Sequence, residues 1–504
     1  MSPEQPEPVE TYGHLVGGEW VEAASGATFD SVNPAHRQRV VGRFALGDTV
    51  DVDRAVKAAA KAQPGWARTP MPLRAEVLDR AGRLLAERKE ELARLMTEEM
   101  GKVLPEARGD VQEGIDMARY MAGQGRHPVG EVVPSELRYK RALAERVPIG
   151  VVGCITPWNF PLAIPCWKLM PALLAGNAVV FKPAEDTPLL AVKLAQILVE
   201  AGLPSGVLEL VTGFGEDAGR ALVEHPLVRA ISFTGSVAVG REVAQSCGRL
   251  GKRVALELGG KNAMVVLADA DLELALEGAV WGAFGTSGQR CTATSRLIVE
   301  EKVRQPFSQM LLKRVGELRL GDGLEPTTDV GPVINEVQLR RIHGYTEVGQ
   351  RESARLLTGG RVASEGRLAE GNFYLPTVFA DVTPEMRLAQ EEIFGPTLAM
   401  LQAEDLEGAL RIANGTQYGL SVAIYTNDIN RALQAVERLE AGIVYVNAPT
   451  IGAEIQLPFG GIKSTGNGAR AAGTTALDEF TEWKTVYIDY SGRLQRAQID
   501  TESA

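Results

Sequence analysis

From residue 149 onward, near-continuous apolar strands alternate with amphipathic helices, and this rhythm constrains the fold more than any other feature. IGVVGCIT reads as a strand, PWNFP as a turn, and a helix starts at Leu162. AGNAVVFKP, GVLELVTG and VRAISFTG read as further strands, each leading to a helix; KNAMVVL, SRLIVE, YGLSVAIYT and GIVYVN resume the pattern after 260. Strands that are apolar on both faces, spaced by helices, belong to parallel sheets covered on both sides. The expectation is an α/β chain with at least two sheets. Upstream, residues 51–125 read as helical, with a break at Pro64-Gly65 and a stop at Gly101. Residues 135–150 alternate charged or polar with apolar side chains, which predicts a strand pair with one wet face.

Composition excludes several classes. A net charge of −11 with no basic block is not the footprint of a nucleic-acid binder. The four cysteines (154, 166, 247 and 291) are too sparse for a disulfide scaffold and lack metal spacing, so no metal site is expected and reduced, cytoplasmic thiols are. MSPEQPEPVE reads as a flexible tail rather than a signal peptide. Val147 to Trp167 carries no charge, but Pro148, Pro157, Pro161 and Pro165 disqualify it as a spanning helix, so no membrane contact is expected. At roughly 150 residues per domain, 504 residues suggest about three domains.

Four features carry chemistry. Gly213 to Gly219 is one residue too long for a dinucleotide fingerprint. FTGSVAVG (233–240) follows a strand and opens a helix, so Gly235 and Ser236 could meet a phosphate, or form a tight turn that binds nothing. Lys182 and Glu185 sit at the carboxyl edge of a strand, where a ribose can bind and where a solvated charge pair is equally at home. Cys291 lies among small residues beside Arg290: a nucleophile with a lowered pKa, or an inert buried thiol. Glu257, between apolar residues and before Gly259-Gly260, suits a general base with a raised pKa or a plain strand-end acid.

Taken in order, TPWNFP (156–161), FKPAEDTP (181–188), FTGS (233–236), LELGGKN (256–262), GQRC (288–291), EEIFGP (391–396) and PFGGIK (458–463) resemble the aldehyde dehydrogenase superfamily over residues 12 to 490. The resemblance implies a Rossmann-like NAD-binding domain (1–127 and 149–259), an α/β catalytic domain (260–465), and a bridging, strand-based oligomerisation element with a tail (128–148 and 466–504). Cys291 is then the nucleophile and Glu257 the base, with Asn159 and the Cys291 N–H holding the oxyanion. The same resemblance gives a cofactor site of Ile155, Thr156, Pro157, Trp158, Lys182, Glu185, Gly215, Gly219, Phe233, Gly235, Ser236, Val239, Leu258, Glu392 and Phe394. Glu185 facing the ribose 2′ position implies NAD over NADP. Ala163, Ile164, Trp167, Arg290, Thr292, Gly452, Ala453 and Phe459 would meet the aldehyde.

NAPTIGAE (447–454) is similar to loops of the aminoadipic-semialdehyde branch, which implies a semialdehyde substrate against a broad range of aldehydes. One departure stands out. Where relatives carry a Glu linked to the counterpart of Lys168 in a proton path, this chain has Ala471, which implies slower deacylation. The exposed strand edges of the bridging element imply a homodimer or homotetramer. Two alternatives remain: acyl transfer to coenzyme A, against which Glu257 argues, and a silent binding protein on the same fold, against which Cys291, Glu257 and Asn159 argue.

Overall fold

The structure, a computed structural model, describes residues 9–500. The segments MSPEQPEP and TESA, parts of the two expected tails, lie outside the described residues. The fold is α/β and is built on two seven-stranded sheets. In the first, the spatial order is Arg253–Leu258, Ala230–Gly235, Val151–Ile155, Ala178–Lys182, Leu208–Leu210, His14–Val16, Glu19–Val21. The first five of these strands run parallel, and His14–Val16 and Glu19–Val21 are added antiparallel.

The strands VVGCI and AVVFK are buried along their whole length, as strands covered by helices on both faces must be. The helix Ala163–Ala175 on one of those faces is itself buried almost all round. It ends at Gly176 in the left-handed conformation (φ 97°), where a Cβ would meet the Arg74 guanidinium at 3.1 Å.

The second sheet runs Arg355–Thr358, Thr377–Ala380, Thr397–Ala403, Arg296–Glu300, Ala263–Val266, Ser421–Tyr425, Ile443–Val446. Only its first pairing is antiparallel. The chain leaves the first sheet at Leu258 and enters the second at Ala263, so the segment 259–262 joins them. A small antiparallel sheet places Lys140–Pro148 between Thr481–Asp489 and Gly130–Val133. Its outer strands leave Val132, Trp483, Tyr487 and Ile488 exposed.

Two local expectations are corrected. The helix Thr49–Arg68 runs through Pro64 without a break. A mid-helix proline costs roughly 3 kcal/mol; here Asp48 and Asp51 close a capping box at the start. Near the end, Trp66 is buried and donates its indole N–H to Leu173 O at 2.9 Å. In addition, 135–150 is not a strand pair. It holds one strand, Lys140–Pro148, whose partners come from 130–133 and 481–489.

Candidate active site

Cys291 follows a tight turn, Gly285–Gly288, in which Thr286 (φ 51°) and Ser287 (φ 54°) are left-handed. Such residues cost roughly 1–3 kcal/mol each and persist only where the surroundings hold them. Buried Glu106 does so by accepting from Thr286 N at 2.8 Å and from its Oγ1 at 2.8 Å. Ser287 Oγ donates to Gly331 O at 2.7 Å. After the turn, Asn262 Nδ2 donates to Cys291 O at 2.8 Å and to Ala293 O at 2.9 Å. Asn159, buried in the middle of the PWNFP turn, donates through Nδ2 to Gln289 O at 3.1 Å, which brings its amide to the loop of Cys291.

Two cavities meet at Cys291. One, of about 120 Å³, is lined by Ile164, Trp167, Lys168, Glu257, Arg290, Thr292, Gly452, Ala453 and Phe459, together with Glu113, Phe160, Thr234, Leu258 and Ala471. Trp167 and Phe459 meet edge to face at 4.8 Å, forming an apolar wall. The other is lined by Pro157, Trp158, Asn159, Gly235, Ser236, Leu258, Gly259, Glu392 and Phe394, with Gln338 and Arg341. Ile164, Thr234 and Leu258 line both.

The second cavity is built from backbone in close approach. Ser236 caps the helix Val237–Arg249, leaving its N-terminus aimed at the cleft, as a phosphate requires. A Cβ on Gly235 would lie 2.6 Å from the Phe233 ring, and one on Gly259 would lie 2.1 Å from the Glu392 carboxylate. Glu392 accepts from Gly260 N at 3.1 Å. Its segment is fixed by Gln338 Nε2 donating to Phe394 O at 2.7 Å and by Arg341 donating to Glu392 O at 2.8 Å.

The remaining named positions are not among the residues that line this cleft. Lys182, buried, donates to Glu185 at 3.1 Å beyond the strand edge. Ile155 and Thr156 end the neighbouring strand, where Thr156 N donates to Lys182 O at 3.2 Å. Phe233 underlies Gly235, and Val239 is exposed on the first turn of the helix. Gly215 and Gly219 bound a turn of π-helix. Ala163 is buried behind Ile164.

Electrostatics separate the two reactive side chains. Burial pushes the Cys291 thiol up to about 12, with Glu392 and Glu257 adding to the shift. The expected lowering by Arg290 does not occur, because that guanidinium turns away from the sulfur. Its Nε donates to Thr286 Oγ1 at 2.9 Å, it lies 3.6 Å from Glu106, and it stacks over Trp281 and Phe160. Glu257, whose two carboxylate oxygens are buried without partners, is pushed well above the usual carboxylate range by burial, against the pull of Lys168 and Arg470.

The sequence model of the aldehyde dehydrogenase family matches residues 20–486. The chain belongs to the aldehyde dehydrogenase family. It is 43% identical to the α-ketoglutaric semialdehyde dehydrogenase of Bacillus subtilis, over 95% of this chain and 98% of that one. It is 42% identical to the 2,5-dioxopentanoate dehydrogenase of Saccharolobus solfataricus, over 93% and 97%. Among solved structures it resembles the betaine aldehyde dehydrogenase of Staphylococcus aureus in complex with NAD+, at a TM-score of 0.94 and 32% identity, over 98% of this chain and 96% of that one. This aldehyde dehydrogenase therefore oxidises an aldehyde to the carboxylic acid. Its second cavity fits the dinucleotide such a reaction needs, with a capped helix N-terminus, two glycines admitting close approach, and the half-buried Glu392 carboxylate. No helix of the described residues is long and apolar enough to cross a membrane.

Sequence reasoning missed Glu113, Phe160, Thr234, Gln338 and Arg341. Phe160 lay inside a quoted motif; Glu113, Gln338 and Arg341 sit on helices far away in sequence and carry no local signal.

Proposed function

We propose that this aldehyde dehydrogenase oxidises a short semialdehyde bearing a carboxylate, of the α-ketoglutaric type, with NAD as the hydride acceptor. The observation that carries the substrate class is Arg290. Arg290 lines the aldehyde cavity one residue before Cys291, and also the neighbouring cavity that holds Glu106, Phe160 and Trp281. Nε and one terminal nitrogen are engaged by Thr286 and Glu106, while Nη1 has no protein acceptor among the described residues. A carboxylate is the natural acceptor for that edge, and Phe160 and Trp281 hold the plane in place. The two relatives named above act, by their names, on such a substrate.

In the proposed reaction Glu257 takes the Cys291 thiol proton and passes it to solvent as the sulfur bonds the aldehyde carbon, and the oxyanion is held by Asn159 Nδ2 and the Cys291 N–H, each worth about 3 kcal/mol in comparable sites. NAD, when bound, supplies the hydride acceptor. Glu257 then takes a proton from the water that attacks the thioester. Lys182 with Glu185 holds the adenosine ribose and disfavours a 2′-phosphate; Glu392 holds the second ribose. Self-association through the bridging sheet as a dimer or tetramer, and a cytoplasmic location suited to four unpaired thiols, complete the reading.

The test is kcat/KM for α-ketoglutaric semialdehyde, pentanal and benzaldehyde, each with NAD and NADP, in the parent and Arg290→Gln. The expected result is that the parent prefers the acidic aldehyde and NAD, and that Arg290→Gln loses roughly 10- to 100-fold on the acidic aldehyde alone. Equal loss on all three aldehydes overturns the carboxylate anchor, and a higher kcat/KM with NADP overturns the cofactor preference.

A further inference from the structure

The motif LELGGKN carries two residues that the reaction leaves without a part, Lys261 and Asn262. The first sheet ends at Leu258 and the second begins at Ala263, so both lie in the short crossing between the sheets. Asn262 reaches in three directions. Its Nδ2 donates to Cys291 O and to Ala293 O, and its Oδ1 accepts from Ser421 N at 3.1 Å. Arg296 clamps the same crossing from the second sheet. Its Nε donates to Lys261 O at 2.9 Å, and its Nη1 and Nη2 donate to Ile412 O and Ala413 O, each at 2.8 Å.

These contacts satisfy geometry and leave charge unbalanced. Lys261 and Arg296 are only 1% and 3% exposed. The three acceptors of Arg296 are neutral carbonyls, and Lys261 Nζ is buried with no partner among the described residues. Nearby acids are already engaged: Glu391 by Arg387 and Tyr345, Glu392 by Gly260 N, and Glu440 by Lys463. Buried charges are ordinarily paired, because an uncompensated one loses its hydration and gains nothing. Burial accordingly pushes Arg296 down to about 9. Burial and then Arg296 push Lys261 down to about 7, against the pull of Glu392 and Glu391.

Lys261, Arg296 and Ser421 line one small cavity of about 10 Å³, together with Tyr418 and the exposed Glu440. Ser421 opens the strand Ser421–Tyr425, and its Oγ is a second buried group without a partner. An ammonium and a hydroxyl from two segments thus meet at one space with nothing to accept from them. A space of this size holds about one water-sized particle, which excludes sulfate, phosphate and any carboxylate-bearing metabolite. Water would satisfy the two donors but not the charge of two buried cations; a monatomic anion does both.

We propose that this cavity is a halide site, in which one chloride accepts from Lys261 Nζ and Ser421 Oγ and offsets the charge of Lys261 and Arg296. The ion makes and breaks no bond in the reaction. It joins the crossing segment to the strand Ser421–Tyr425, and through Asn262 to the backbone of Cys291, so its effect is on the stability of that junction.

The test begins with the parent enzyme, crystallised without chloride and soaked in sodium bromide, an ion of nearly chloride size whose position is marked by anomalous scattering. The expected result is one bromide in contact with Lys261 Nζ and Ser421 Oγ. Density there without an anomalous signal is water and overturns the proposal, as does an empty cavity. In solution, Tm is compared for the parent and Lys261→Met in about 0.2 M sodium chloride and in sodium gluconate of equal ionic strength, near pH 6.5. Chloride should raise the parental Tm over gluconate by roughly 3 °C and that of Lys261→Met by less than about 1 °C. General salt effects act on both proteins alike, so an equal rise in the two overturns the site. Where Lys261→Met does not fold, Ser421→Ala replaces it, and the bromide soak needs no variant. Neither NAD nor aldehyde enters these measurements, so their outcome is independent of the substrate reading above.

Discussion

On one side of Cys291 the cavity walls are strand ends, tight turns and a helix N-terminus along the first sheet, joined by Gln338, Arg341, Glu392 and Phe394 from the half of the chain that builds the second sheet. On the other side they are side chains brought from the helix Leu104–Gln124, the helix Ala163–Ala175, the segment of Cys291 itself and the loop at 452–459. The first side works through backbone and tolerates little added volume. The second works through apolar surface and a few charges, Arg290 and Glu113 among them. A dinucleotide has one shape for every member of a family, so rigid backbone suits it; aldehydes differ, so exchangeable side chains suit them.

The largest expected effect tests the residue both sides share. Cys291→Ala should lower aldehyde oxidation by at least about 10³-fold while NAD binding, followed by protein fluorescence, is kept. Substantial residual oxidation would show that neither cavity serves the sulfur. Next comes Gly259→Ala. Its methyl would lie 2.1 Å from the Glu392 carboxylate, so KM for NAD should rise about 10- to 100-fold with little change in KM for the aldehyde. A change in the aldehyde constant alone would erase the division between backbone and side-chain walls.

The smallest effect concerns Glu113, whose carboxyl burial pushes up to about 8, with Asp110 adding to the shift. At pH 7 it is neutral and adds no negative charge beside Arg290; above pH 8 it ionises and repels an anionic aldehyde. KM for the acidic substrate should therefore climb roughly threefold between pH 7 and 9, whereas that for benzaldehyde stays flat, and Glu113→Gln should abolish the climb. An identical pH profile for both aldehydes would place Glu113 outside the reading of charge.

The same division explains what could be read from the chain itself. The backbone-built side was legible because glycines and caps are local signals: FTGS and LELGGKN each name a turn that only a small residue can make. The apolar strands announced the sheets for a similar reason. Glu113 was not legible, because an acid on an amphipathic helix looks solvated until its tertiary neighbours are known. Arg290 was legible as a neighbour of the thiol, but its direction was not. Sequence adjacency suggested a charge aimed at the sulfur, whereas Glu106, 184 positions upstream, and Trp281 draw it away. The run through Pro64 shows the same limit, since a local breaker was outweighed by a cap and a buried indole at opposite ends of the helix.

The left-handed turn at Thr286 and Ser287 has a consequence for how this enzyme fails. Its unfavourable geometry is held from two directions, by Glu106 on a helix of the N-terminal region and by Gly331 in the stretch between the strands Arg296–Glu300 and Arg355–Thr358. Any loosening between those parts removes the bonds that hold the strained turn, which then relaxes at less cost than either sheet. Mild urea or modest heating should therefore extinguish catalysis while circular dichroism still reports intact sheets. Inactivation is then expected to precede unfolding, with the strained pair Thr286 and Ser287 setting the first.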